Sequence, residues 1–250
     1  MVDLAKFVQD IAPTRCVYLD DSYAQSLDST VVKALQEKSN AYALLDQTVF
    51  HPRSGGQPSD VGRIEGGGFR IDVKRAMLQS GHIVHFGKVE GKLGTGPTKC
   101  SIDWTNRFLM MRRHTAAHLL DHCLVTCTGS RVETTDSWLG EDPFVGYAGK
   151  ITPEVDLRRL QEIGNHFIEQ GLNVEIKTLV RADAERLIGG APNIARLPKM
   201  EQLRIVTIQG QIPIPCGGTH VRNLQEIGVL EVTRIEPMDS GFRLHFEVRS

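Results

Sequence analysis

Four residues of this chain have the types and spacing to hold one metal ion: His114 and His118, four apart, and Cys216 and His220, again four apart. On a helix, residues four apart project from one face about one turn from each other, so two imidazoles can reach a single ion. The second pair lies in Cys216-Gly217-Gly218-Thr219-His220, entered through Pro213-Ile214-Pro215. Prolines and glycines oppose a regular helix there and favour a tight loop that turns a thiolate and an imidazole toward one point. One cysteine and three histidines form a borderline-soft, tetrahedral donor set suited to zinc, so one zinc ion per chain is expected. The residue after His114 is Thr115, where helical zinc proteases carry the glutamate that acts as general base, so protease chemistry is excluded.

The remaining thiols point elsewhere. Cys123 and Cys127 fall about 140° and about 180° round the helix from His118, at about 100° per residue, and read as small core residues. Cys16 and Cys100 lie in strand-like segments and take the same reading. Asp121 and His122 stand closer to the metal face, either supporting the ligands or simply packed or solvated. A second motif is the run Phe50-His51-Pro52-Arg53-Ser54-Gly55-Gly56-Gln57-Pro58-Ser59-Asp60. Its glycines allow backbone N–H groups to approach a ligand, with Gln57 offering an amide; an ordinary hairpin loop is the simpler alternative.

Two kinds of sequence surround these residues. Before Asp103, short strands are predicted at 15–19, 30–35, 41–45, 70–73, 82–86 and 100–103, punctuated by glycine clusters, which implies a small β-barrel or sandwich. From Asn106 to Val125 the apolar residues Phe108, Met111, Leu119 and Leu120 recur with helical spacing. A second helix is expected from Thr152 as N-cap, with Pro153 and Glu154 in its first turn, to about Gln170 before Gly171. A short helix at 182–188 and strands at 174–180, 203–208, 229–235 and 242–248 follow. The expected class is α+β: residues 1–103 form a small barrel carrying the glycine-rich loop, and 104–250 an α+β domain with helices on an antiparallel sheet.

The bulk numbers fit a soluble chain. It has 250 residues, 40% hydrophobic and 24% charged, with a net charge of −1. That balance neither favours nor excludes nucleic acid, because a basic patch can hide in a neutral average. No run approaches the roughly 18 apolar residues of a membrane span, and the N-terminus lacks the pattern of a signal peptide. Five cysteines, an odd number, do not suggest a disulfide framework, so a reducing cytoplasm is expected.

The segments His114–Leu120, Cys216–Val221 and Val49–Gly62, taken in order, resemble the free-standing alanyl-tRNA editing proteins of the AlaX type, relatives of the alanyl-tRNA synthetase editing domain. Leu44–Thr48 and Ile102–Trp104 match as well, and length and order are similar to the medium-length branch. The resemblance implies a zinc-dependent hydrolase that clears serine, and sometimes glycine, from mischarged tRNA for alanine. It implies His114, His118, Cys216 and His220 as ligands and a substrate lined by Ser54, Gly55, Gly56, Gln57, Thr115 and Gly217. The tRNA would lie on a basic surface built from Arg107, Arg112, Arg113, Arg181 and Arg186, with Arg196 and Lys199 nearby. No obligate protein partner is evident. The pattern departs at Ala117, where many editing domains have threonine, at Ser54, where many have glycine, and across Gly129–Trp138, which matches poorly. Three other readings compete: a zinc amidohydrolase acting on a small metabolite, which lacks an acidic base near the ligands; a non-catalytic, zinc-stapled tRNA- or synthetase-binding module; and a synthetase fragment, for which no aminoacylation segment is recognisable in a chain starting at Met1.

Overall fold

The computed structural model describes residues 2–151, 155–189 and 200–250. Two compact units emerge: residues 1–54 with 58–109, and residues 55–57 with 110–250. The tripeptide Gly55-Gly56-Gln57 therefore groups with the second unit, although its neighbours in sequence belong to the first.

In the first unit the chain runs α1 (Leu4–Phe7), β1 (Arg15–Cys16), α2 (Val17–Asp20), β2 (Ser26–Glu37), β3 (Asn40–Leu45), β4 (Gln47–Thr48), β5 (Gly62–Gly66), β6 (Phe69–Gln79), β7 (His82–Gly91) and β8 (Gly96–Ile102). Six of these strands close a barrel in the order β2-β3-β7-β6-β5-β8, all pairs antiparallel. Alternation fills its interior. Along β6, Phe69, Ile71 and Val73 are buried in turn; a bulge between Val73 and Arg75 then shifts the phase so that Ala76 is the next to turn inward. Thr98, Cys100 and Ile102 do the same along β8.

The barrel answers the expected class, with two local differences. Strand β5 lay hidden in the sequence because its five residues begin and end on glycine. The strand expected at 15–19 stops at Cys16, and the chain turns into α2, closed by Asp21 N–H donating to the Val17 carbonyl at 2.9 Å.

The long helix α3 (Trp104–Thr128) crosses from one unit to the other between Leu109 and Met110. Asp103 starts it, its carboxylate accepting from Asn106 N–H at 3.0 Å. In the second unit α3 is followed by β9 (Thr134–Trp138), β10 (Phe144–Ala148), α4 (Leu157–Glu169), β11 (Val174–Val180), α5 (Arg181–Ile188), β12 (Gln202–Ile208), β13 (Ile214–Pro215), β14 (Val229–Met238) and β15 (Gly241–Arg249). One sheet has the order β14-β15-β10-β9 and another β11-β12-β13, each antiparallel.

Both edges of the four-stranded sheet are occupied, as exposed edges generally must be. Helix α4 lies on β14: Asn165 bonds both backbone groups of Leu230, and Gln161 accepts from Val232 N–H. At the other edge Leu139 N–H, just past β9, donates to the Gly56 carbonyl at 3.0 Å. Gly56 has φ of +79°, and a Cβ there would collide with Ser137, so only glycine fits.

The second helix begins later than its sequence suggests. Asp156 is the N-cap, its side chain accepting from Arg159 N–H at 3.0 Å. The expected cap Thr152, with Pro153 and Glu154, lies outside the described residues, as do Arg196 and Lys199. Among the described residues no helix is long and apolar enough to cross a membrane.

Candidate metal centre

Helix α3 presents His114 and His118 one turn apart, and every residue from His114 to Leu120 is buried. The loop after β13 brings Cys216 and His220 to the same point. That loop is anchored from β12: Cys216 N–H donates to the Arg204 carbonyl at 3.0 Å, and the Arg204 guanidinium donates to the carbonyls of Cys216 at 2.7 Å and Gly218 at 2.9 Å. Gly218 sits against the His114 ring with no room for a Cβ. The four potential ligand atoms all lie within 4.8 Å of one another. Cys216 Sγ is 3.3 Å from His114 Nε2 and 3.4 Å from His220 Nε2. Three imidazoles and a thiol converging with their lone pairs inward are a donor set that could hold one metal ion.

What surrounds the cluster fixes which nitrogen the His114 and His220 rings offer. Gln57 Oε1 lies 2.8 Å from His114 Nδ1 and also accepts from Thr219 N–H at 3.1 Å, while its Nε2 donates to Thr219 Oγ1 at 2.9 Å. With Nδ1–H committed to the amide, His114 turns Nε2 to the centre. Thr115 does the same for His220: its hydroxyl donates to the Met111 carbonyl at 2.9 Å and lies 3.2 Å from His220 Nδ1, and Val221 N–H donates to it at 3.2 Å. These are the outer contacts that typically orient metal-binding histidines.

Burial, reinforced by the charges of His114, His122 and Arg204, holds His118 well below the ordinary imidazole range, so it stays neutral and able to donate. Burial pushes the Cys216 thiol up, while the Gly218 N–H and the Arg204 charge work in the opposite direction.

Gln57 and Thr115, both expected beside the substrate, are each 0% exposed, and their polar atoms contact His114, His220 and the loop that carries Thr219 and His220. Gly217 and Gly55 are exposed, with open space where a Cβ would lie, and Gly56 is half-buried against β9. Ser54, in the first unit, is exposed, with its hydroxyl 3.3 Å from His51 Nε2.

Three of the arginines expected to face tRNA make contacts within the fold. Arg107 is fully buried against Asp60, and donates to the carbonyls of Ser22 at 2.9 Å and Val49 at 2.6 Å. Arg112 is buried on the Ile227 carbonyl, at 2.7 and 2.9 Å. Arg113 is held by Glu247 and the Leu139 and Gly140 carbonyls. Each guanidinium is thus engaged by other groups of the fold. Arg181 and Arg186 on α5 keep solvent contact beside Glu185 and Asp183.

Sequence reading missed Arg204, Thr219 and Tyr147, whose roles come from tertiary neighbours. Thr219 alone carried a signal, from its place inside the cysteine–histidine loop. Asp121 bonds Tyr147 and not a ligand, and His122 Nε2 has no hydrogen-bond partner among the described residues. Cys123 and Cys127 are buried, as expected.

A direct consequence concerns Gln57. Gln57→Ala frees the outer nitrogen of His114 and is expected to weaken metal affinity by about ten- to a hundredfold. Competition against a chromophoric chelator measures this. Unchanged affinity would remove the amide from the metal site.

Residues 203–243 match the family described as threonyl and alanyl tRNA synthetase second additional domain, and residues 16–106 the one described as tRNA synthetases class II (A). Among curated proteins the chain is 30% identical over 245 residues to the alanyl-tRNA editing protein AlaX-M of Methanosarcina barkeri, covering 93% of this chain and 98% of the relative. It is 32% identical to AlaX-L of Pyrococcus horikoshii, over 87% of this chain and 54% of the relative. It is also 32% identical to the alanine–tRNA ligase of Korarchaeum cryptofilum, over 94% of this chain. The chain thus spans about half the length of AlaX-L and about a quarter of the ligase, and nearly all of AlaX-M. With a matching family model over the cysteine–histidine loop and near end-to-end agreement with AlaX-M, the chain belongs to the family of alanyl-tRNA editing proteins of the AlaX type.

Proposed function

We propose that the chain is a zinc-dependent hydrolase that removes serine, and more slowly glycine, wrongly attached to tRNA for alanine, working in the cytoplasm. The observation that carries this reading is the buried His114-His118-Cys216-His220 cluster in a member of an alanyl-tRNA editing family. Three imidazoles and one thiolate favour zinc over harder ions that prefer oxygen. Bound there, zinc would supply Lewis-acid polarisation at the aminoacyl ester.

The protein's own residues do the rest. Gln57 and Thr115 hold His114 and His220 with Nε2 inward. Arg204 and Gly218 fix the loop that carries Cys216. Gly217 and Gly55, having no side chain, leave room for an aminoacyl end to approach backbone N–H groups. The scissile ester is intrinsically labile, so no ATP is required. Arg181 and Arg186 are the arginines we assign to tRNA phosphates.

A second reading keeps the metal as a staple in a tRNA- or synthetase-binding module. Four converging side chains favour it, because a closed donor set is typical of structural zinc. The test is deacylation of Ser-, Gly- and Ala-tRNA(Ala) by the purified, zinc-loaded chain. Loss of serine fastest, glycine more slowly, with Ala-tRNA(Ala) spared, is expected. All three left intact over hours would favour the binding module.

A further inference from the structure

From His114 to Leu124 helix α3 is buried at every residue except Asp121, which is half-buried. Asp121 lies three residues past His118, about 4.5 Å along the axis, and helical side chains lean toward the N-terminus, over the turn that carries Ala117 and His118. Ala117 offers only a methyl group there. The Asp121 carboxylate is held from the facing sheet: Tyr147 Oη donates to Oδ1 at 2.8 Å, and Thr134 Oγ1 lies 3.5 Å from the same oxygen. Tyr147 and Thr134 are cross-strand partners on β10 and β9, so two adjacent strands brace one oxygen. No group among the described residues bonds Oδ2.

Resting on the editing reading above, we propose that Asp121, braced by Tyr147, accepts the side-chain hydroxyl of the mischarged seryl group through Oδ2 and so sets the preference for serine. The nearness of Asp121 to the His118 turn suits a hydroxyl two bonds from the ester-bearing carbon's neighbour. Selection by a polar acceptor works where shape fails, because an acyl group without the hydroxyl leaves the carboxyl oxygen unpaired in a confined site. Burial also pushes the Asp121 carboxyl up to about 7, against the Tyr147 and Thr134 hydrogen bonds that pull it down. Near neutral pH it is therefore only partly anionic. A hydroxyl, which both donates and accepts, suits either protonation state, whereas an ammonium group needs the anion.

The experiment uses the full zinc-loaded chain and non-hydrolysable 3′-amide analogues of seryl- and glycyl-adenosine, with single-turnover deacylation of Ser- and Gly-tRNA(Ala) alongside. In Asp121→Ala the seryl-to-glycyl ratio is expected to fall by about tenfold, in binding and in rate, with zinc content unchanged. Tyr147→Phe is expected to move the ratio in the same direction by a smaller factor, and Asp121→Asn keeps the measurement possible if the alanine variant does not fold. A parallel fall for both acyl groups would assign Asp121 to the ammonium group or to proton transfer and overturn the proposal. An unchanged ratio would do so as well. Wild-type protein that neither binds nor deacylates any of these would sink the editing reading itself, and this inference with it.

Discussion

Replacing Cys216 with alanine is expected to reduce bound zinc from about one per chain to a small fraction and to slow deacylation of Ser-tRNA(Ala) at least about a hundredfold. The cluster explains the size of the effect. Cys216 is the only anionic donor among the four, and its sulfur stands within 3.4 Å of two of the imidazoles. Without it three imidazoles remain. His118→Ala removes one of the two rings that α3 supplies and is expected to act in the same direction. Elemental analysis with circular dichroism in parallel separates metal loss from unfolding. Full zinc occupancy in both folded variants would mean that these residues are not the ligands.

Arg107→Met is expected to destabilise the first unit by about 3–5 kcal/mol, read as a lower midpoint of urea unfolding of the full chain. Arg107 and Asp60 are 0% and 1% exposed in their side chains, so removing the guanidinium leaves a buried carboxylate that keeps, among the described residues, the His51 N–H donor at 2.6 Å. It also removes the Arg107 hydrogen bonds to the carbonyls of Ser22 and Val49. Typical domains are stable by about 5–15 kcal/mol, so the loss is a large share of the total. Replacing both partners, Arg107→Met with Asp60→Leu, is expected to cost less than Arg107→Met alone, because no isolated charge stays behind. A single variant within about 1 kcal/mol of wild type would show that the pair is not buried as described.

Arg107 also shows where sequence stops being informative. In sequence it is one of several arginines on a helix that carries metal ligands, and a basic surface is the natural reading. Only the closure of the barrel brings Asp60 to it, from 47 residues away. Gln57 is similar, since its partners His114 and Thr219 lie 57 and 162 residues off. The convergence of His114, His118, Cys216 and His220 was legible because its signals are local: spacing of four on a helix for one pair, a proline- and glycine-bounded loop for the other.

The barrel strands were legible wherever one face alternates, and the helix of 181–188 and the strand of 174–180 emerged almost unchanged. Strands β9 and β10 were not legible. Thr134–Trp138 carries Thr, Asp and Ser and is only half-buried, so it has no apolar face to advertise it. Helix α4 is capped by Asp156, four residues beyond the expected cap Thr152, which lies outside the described residues.

Under the proposed function, ester hydrolysis on mischarged tRNA depends on zinc. The most direct measurement is the rate of Ser-tRNA(Ala) deacylation by one preparation in three states: as purified, after chelation and dialysis, and after addition of one equivalent of zinc. Activity lost on chelation and recovered with zinc, while Ala-tRNA(Ala) stays charged throughout, is the result expected. Deacylation at the same rate in the fully zinc-stripped protein would contradict it.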